Sequence, residues 1–247
     1  MTKGLQILNF VASSSDPVTV RGLARGTGLS KSTAHRLASE LCHWGALDIE
    51  PEGYRLGLRL FELGGIALRH NRLEHIARPH MEDLFETTRR LTQLGVLQGT
   101  DVIYLARVGR QGHQRVASPV AGRVPATCAA LGKALLAYSP LVLAAALGEG
   151  LPRLTKYSIT DPNVLRNQLS EIRRSGIATE REETRMGLCC VASPIVIDSR
   201  AQAALSLTGP VEMFDPDAAG HAVRRAALRL SRALTQSQAA QRYGPGP

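Results

Sequence analysis

The run "TVRGLARGTGLSKSTAHRLASELCHWG", residues 19–45, constrains the fold more than any other stretch of the chain. Thr19 has the chemistry of a helix N-cap, and Val20, Leu23 and Ala24 behind it fall on one face of a short helix. Gly26 and Gly28 stop that helix, and one of them is expected in the left-handed conformation that glycine adopts cheaply. Ser30 caps the next helix, which reaches about Trp44 with Ala34, Leu37, Ala38 and Leu41 on its apolar face. Upstream, residues 3–13 put Leu5, Leu8, Val11 and Ala12 on one helical face before the Ser13-Ser14-Ser15-Asp16-Pro17 breaker. Downstream, residues 46–56 read as two extended runs around a Pro/Gly turn, a hairpin. Short helices joined by a glycine turn and followed by a hairpin have the order of a winged helix-turn-helix.

In that geometry the outward residues at the start of the 30–44 helix are Lys31, Ser32, His35 and Arg36. Lys and Ser side chains reach phosphate oxygens, and Arg pairs with guanine in a bidentate way. Thr33 lies nearer the core margin and suits a backbone phosphate, and Arg55, after Gly53, suits a phosphate or minor-groove contact. The competing reading is an ordinary solvated helix face. Net charge does not decide between them. The chain carries +9, from 30 Lys and Arg against 21 Asp and Glu, but residues 1–60 hold seven basic and five acidic residues. Position on the helix, rather than bulk charge, points to double-stranded DNA.

Residues 57–70 read as an amphipathic linker helix, followed by a helix over 73–91. From about residue 92 the chain turns β-rich, with extended runs at 93–97 and 102–108 around Gly99-Thr100-Asp101, a hairpin signal. Further strands are expected at 114–118, 188–197 and 202–208, and helices at 129–138, 140–147, 161–175 and 216–240, which makes the second part α+β. The "AALGKALLA" segment holds a Gly-Lys pair, but a phosphate loop needs G-x-x-x-x-G-K-[ST], and Thr127 and Ala134 break both requirements. His70, His75 and His80 are five apart, which walks them around a helix instead of aligning them on a metal. The four cysteines form no C-x-x-C, and no residue near Cys128 or Cys190 offers a base. No catalytic constellation, cofactor or metal is expected. With no apolar run of about 18 residues, the chain reads as a soluble cytoplasmic protein with no membrane partner.

Several motifs in fixed order resemble the IclR family of transcriptional regulators: "KGLQILNFVAS", "VRGLARGTGLSKSTAHRLASEL" and "GYRLGLRLFELG", then "RVPATCAALGKALLA", "LRNQLSEIRRSGIATEREETRMGLCCVASPI" and "AALSLTGP". The resemblance covers roughly residues 3–235. It implies a winged helix-turn-helix over 1–57, a linker helix over 58–72 and a GAF-like effector-binding domain over 73–241, while the Gly244-Pro245-Gly246-Pro247 end marks residues 242–247 as a disordered tail. It also implies a homodimer or homotetramer on a palindromic operator. Many members carry an arm before the first helix, whereas only Met1 and Thr2 precede Lys3, so arm contacts are in doubt.

The same resemblance implies an effector pocket built from Ala130, Leu131, Glu180, Cys190, Ser206 and Thr208, with Val124 and Leu188 as apolar walls. Ser206 and Thr208 are two apart, so on a strand both face one side, and free amides at a helix start near residues 129–132 favour an anion. That set suits a small carboxylate or an oxygenated aromatic controlling a metabolic, catabolic operon. Glu180 fits awkwardly, because a carboxylate repels an anionic ligand unless one of the two is protonated. In a competing reading these are ordinary core residues of a domain that only oligomerises.

Overall fold

The computed structural model of the chain describes residues 2–69, 71–110 and 120–243, in two compact units divided between Asn71 and Arg72. The first unit holds α1 (Thr2–Ala12), α2 (Val20–Thr27), α3 (Lys31–His43), a hairpin of β1 (Leu47–Glu50) and β2 (Gly53–Leu56), and α4 (Leu58–Arg69). Helices as short as α2 and α3 are marginal alone in water, so they depend on the apolar faces they share. That core joins Ile7 and Val11 of α1, Leu23 of α2, Ala34 and Ala38 of α3, and Leu47 and Tyr54 of the hairpin. Thr19 caps α2 by accepting from the Gly22 N–H at 3.1 Å, and Ser30 caps α3 by accepting from the Thr33 N–H at 3.2 Å. Gly28, at φ 68°, supplies the left-handed turn between them. Gly26 serves space instead: a Cβ there would lie 2.1 Å from ring atoms of Phe10.

The apolar face of α1 differs from the expected one. Leu5 is 53% exposed and Ala12 is exposed, while Ile7 and Val11, four apart, point inward with Leu8 and Phe10 beside them. Residues 3–13 carry two overlapping apolar stripes, and it is the side on which α2 and α3 pack that selects one.

The second unit runs α5 (Arg72–Thr88), β3 (Leu91–Gln98), β4 (Asp101–Val108), β5 (Arg123–Pro125), α6 (Ala130–Leu136), α7 (Pro140–Glu149), α8 (Pro162–Ser175), β6 (Ala178–Arg181), β7 (Leu188–Ile197), β8 (Arg200–Pro210) and α9 (Pro216–Tyr243). The six strands form one antiparallel sheet in the order β5-β4-β3-β8-β7-β6. Met81 and Leu84 of α5 and Ala226 and Leu230 of α9 pack with Leu94, Val191, Leu205 and Leu207 on one face. Leu131 and Leu135 of α6 and Leu165 and Leu169 of α8 pack with Ala192 and Ala204 on the other. The result is an α+β fold with helices on both sides of the sheet.

Three details depart from the sequence expectation. The helix expected to reach residue 91 ends at Thr88, because Arg89 takes φ 53° and Leu91 already pairs with Thr208 in the sheet. Strands β5 and β6, of three and four residues, were not anticipated, since so few residues carry no alternation signal. Arg242 and Tyr243 belong to α9 and not to a tail, because the first helix breakers are Gly244 and Pro245; residues 244–247 lie outside the described residues. The strand expected at 114–118 also lies outside them. Among the described residues no helix is long and apolar enough to cross a membrane.

Candidate functional site

Two places in the molecule carry the side chains singled out above. On α3, Lys31, Ser32, His35 and Arg36 are exposed and Thr33 is half-buried, because Ala34 and Ala38 anchor the opposite face in the core. The hydroxyls are partly engaged at the helix start: Ser30 Oγ donates to Thr33 Oγ1 at 2.8 Å and lies 3.2 Å from Ser32 Oγ. Arg36 pairs with Glu40 one turn further on, and Arg55 of β2 pairs with Glu50 of β1 at 2.9 Å. Both pairs are solvent-exposed, where such a bridge is worth roughly 0–1 kcal/mol. A phosphate or a guanine edge can therefore replace the carboxylate at small expense. A helix about 10–12 Å across fits a major groove about 12 Å wide.

The second place is a cavity of about 410 Å³ between the start of α6 and the sheet. That volume lies within the range of roughly 300–1,000 Å³ common for small-ligand sites. Val124, Ala130, Leu131, Glu180, Leu188, Cys190 and Thr208 all line it. Ser206 does not. It faces the same side of β8 but sits opposite Ala192, one strand repeat beyond Cys190 and Thr208, where it is fully buried. Ala129, the residue before α6, offers no side-chain cap, so nothing from that position satisfies the first amides of the helix. Gly132 lets the helix start approach the chain closely, since a Cβ there would lie 2.1 Å from the Ala126 carbonyl oxygen.

Burial dominates the electrostatics of the cavity. Glu180 is 2% exposed, and burial, partly offset by hydrogen bonds from Thr184 Oγ1 (2.7 Å) and the Glu183 N–H (2.8 Å), pushes its carboxyl up to about 7. Near neutral pH a large share of this group is uncharged, which lessens the repulsion that made it an awkward neighbour for an anion. Burial, with the Glu180 charge second, pushes the Cys190 thiol up to about 12, and Cys189 reaches about 11. Both remain thiols and poor nucleophiles. Thr208 Oγ1 lies 3.2 Å from Cys190 Sγ and 3.3 Å from Gln93 Oε1, which knits β3, β7 and β8 at the cavity floor.

Several lining residues carried no local signal in the sequence. Arg123 and Arg185, both exposed, and Leu154 and Thr184 come from an edge strand and from loops, whose residues no periodicity assigns to a face. Gln93 and Tyr104 also line the cavity. Gln93 did leave a trace: it is a polar residue between Leu91 and Leu94 in a fully buried strand segment. The Gly-Lys pair of the "AALGKALLA" segment has a structural partner, since Lys133 is fully buried and bonds Glu183 Oε1 at 2.7 Å and Gln168 Oε1 at 3.1 Å. His75 is exposed and His80 half-buried, while His70 lies outside the described residues. Among the described residues no three or more His, Cys, Asp and Glu form a group that could hold a metal ion.

Comparison with known proteins bears on both places. Residues 1–50 match the model of the IclR helix-turn-helix domain, and residues 66–232 match the model described as bacterial transcriptional regulator IclR C-terminal. The HTH-type transcriptional regulator BhcR of Paracoccus denitrificans is 33% identical, covering 94% of this chain and 85% of the relative. The HTH-type transcriptional regulator XynR of Escherichia coli is 30% identical, covering 94% and 95%. Among solved structures, an IclR homologue of Microbacterium hydrocarbonoxydans complexed with 4-hydroxybenzoate superposes with a TM-score of 0.80 at 31% identity, covering 95% of this chain and 98% of that one.

Proposed function

The chain belongs to the IclR family of bacterial transcriptional regulators, and from that premise we propose that a small aromatic or aliphatic carboxylate, bound in the α6–sheet cavity, controls its affinity for operator DNA. The observation that carries this reading is the cavity itself. It combines apolar walls at Val124, Leu131 and Leu188 with a floor of neutral hydrogen-bonding groups at Thr208, Cys190 and a carboxyl poised near neutrality at Glu180. Convergent polar groups in a largely apolar concavity are the usual form of a small-molecule site. Arg123, ion-paired with Asp101 at 3.1 Å, and Arg185 are exposed cationic side chains in the cavity lining. That the Microbacterium hydrocarbonoxydans homologue holds 4-hydroxybenzoate supports an oxygenated aromatic acid. A regulator that senses such a compound suits a catabolic operon.

On the DNA side, Lys31, Ser32, His35 and Arg36 read the major groove in this proposal, with Thr33 and Arg55 on phosphates. One such helix reads about half a turn of duplex, so specificity calls for two heads spaced roughly 34–36 Å apart on a palindrome. The apolar side chains that α4 leaves exposed, Leu58, Phe61 and Ile66, together with Leu5 of α1, supply the surface for a second copy. The experiment is an operator titration of the full chain with and without 4-hydroxybenzoate. The expected result is an affinity that changes at least several-fold with the acid and does not change with an uncharged analogue.

A further inference from the structure

Lys133 is buried on α6, a helix whose first residues Ala130 and Leu131 form one wall of the cavity. Its ammonium donates to Glu183 Oε1 at 2.7 Å and to Gln168 Oε1 of α8 at 3.1 Å. Glu183 is the centre of a second set of bonds. Its carbonyl accepts from Ser158 Oγ at 2.7 Å, and its N–H donates to Glu180 Oε2 at 2.8 Å. Thr155 Oγ1 donates to the neighbouring Glu182 carbonyl at 2.6 Å, and Ser158 Oγ accepts from the Leu154 and Thr155 amides at 3.0 and 2.9 Å. Four contributors to the opposite wall, Leu154, Glu180, Thr184 and Arg185, therefore lie on segments tied together around Glu183. The Glu183 carboxylate in turn is docked on Lys133.

The energetics argue that this pair does something other than stabilise. Taking two charges out of water offsets most of their attraction, so a buried pair gives little net stability over apolar residues of the same size. What the pair does supply is a fixed distance between α6 and the segment over 182–187. We propose that Lys133 is a positioning residue for the ligand cavity: through Glu183 it holds the 182–187 segment against α6, so that Thr184 and Arg185 stand as the wall facing Ala130 and Leu131. This rests on the ligand-cavity reading given above. It also gives the Gly-Lys pair a role without phosphate: the glycine lets α6 in close, and the lysine clamps the segment opposite.

The test uses the full chain with Lys133→Met and Glu183→Leu combined, which removes both charges and fills their space. Melting temperature, hydrogen exchange over 182–187 and affinity for 4-hydroxybenzoate are measured against wild type. The expected result is a melting temperature that recovers most of the loss seen in Lys133→Met alone. With it, exchange over 182–187 becomes at least tenfold faster and the 4-hydroxybenzoate affinity at least tenfold weaker. Exchange and affinity within twofold of wild type in the stable double variant would overturn the proposal, as would faster exchange without loss of affinity. If the double variant does not fold, Lys133→Gln carries the test. Its side chain is one atom shorter and uncharged, which weakens the hold on Glu183, so local loosening over 182–187 is again expected, and unchanged exchange there overturns the role. If wild type binds neither benzoate nor 4-hydroxybenzoate, the aromatic-acid reading falls, while the exchange measurement still decides whether Lys133 positions the segment.

Discussion

Arg36 lies on the exposed face of α3 with Glu40 one turn away, held only by an ion pair that water screens. If it reads a guanine edge, Arg36→Ala weakens the selected operator by about 1–3 kcal/mol and relaxes preference at one base pair. Competition binding with single-base operator variants checks this, and equal affinity for all of them in wild type and variant alike would remove Arg36 from the reading set. Glu180 makes a prediction about pH. Its carboxyl sits near 7 against an ordinary 4.5, so it is neutral and tolerant of an anion below about pH 7 and charged and repulsive above it. Affinity for 4-hydroxybenzoate in wild type should therefore fall as pH rises through 7, approaching about tenfold per unit if protonation is obligatory. Calorimetric titrations from pH 6 to 8 on wild type and Glu180→Gln should show that slope in the first and a flat line in the second. The folding sign agrees. A carboxyl that holds its proton longer when folded makes stability fall as pH rises from about 4.5 to about 7 and level beyond. Arg36 was legible in sequence because helical period fixes which way each residue points. Arg185 was not, because only the folded loop brings it to the cavity.

At the scale of elements, the helices and long strands were readable because each carries its own period and caps. The Thr19 and Ser30 caps and the Gly28 turn are local chemistry and stand where the residues put them. What sequence could not supply was packing direction. The inward stripe of α1, the end of α5 at Thr88 and the short edge strands β5 and β6 are all fixed by what lies against them. The cavity falls between these cases: Ser206 and Thr208 share a face by strand alternation, yet only Thr208, with its cross-strand partner Cys190, lines the cavity, and Ser206 lies beyond its end. Helix α4 raises its own question. Phe61 is 78% exposed and Leu58 66%, an apolar face unusual on a helix in water. If a second copy covers that face, Phe61→Glu should convert a dimer or tetramer at micromolar concentration to monomer. Its operator affinity should drop with it, because two heads no longer bind as one. Sedimentation velocity checks the assembly, and an unchanged sedimentation coefficient would place the interface elsewhere.

At the scale of the whole molecule, the chain joins a DNA-binding unit to an effector-binding unit, and a ligand in one reaches the other only by differential affinity. A ligand that binds two states of the protein equally well shifts nothing, however tightly it binds. The coupling should therefore be alterable at the cavity without touching the DNA face. Thr208→Val is suited to this, since it keeps the shape of a residue on the cavity floor and removes only its hydroxyl. Losing one neutral hydrogen bond of about 0.5–1.5 kcal/mol corresponds to roughly a two- to tenfold change in binding. The decisive measurement is a fluorescence-anisotropy titration of a duplex selected by the full chain from a random pool, run across a range of 4-hydroxybenzoate concentrations. Wild type and Thr208→Val should bind the duplex equally without the acid, and the variant should need several times more acid for the same change in affinity. An identical response of the two proteins to the acid would contradict it.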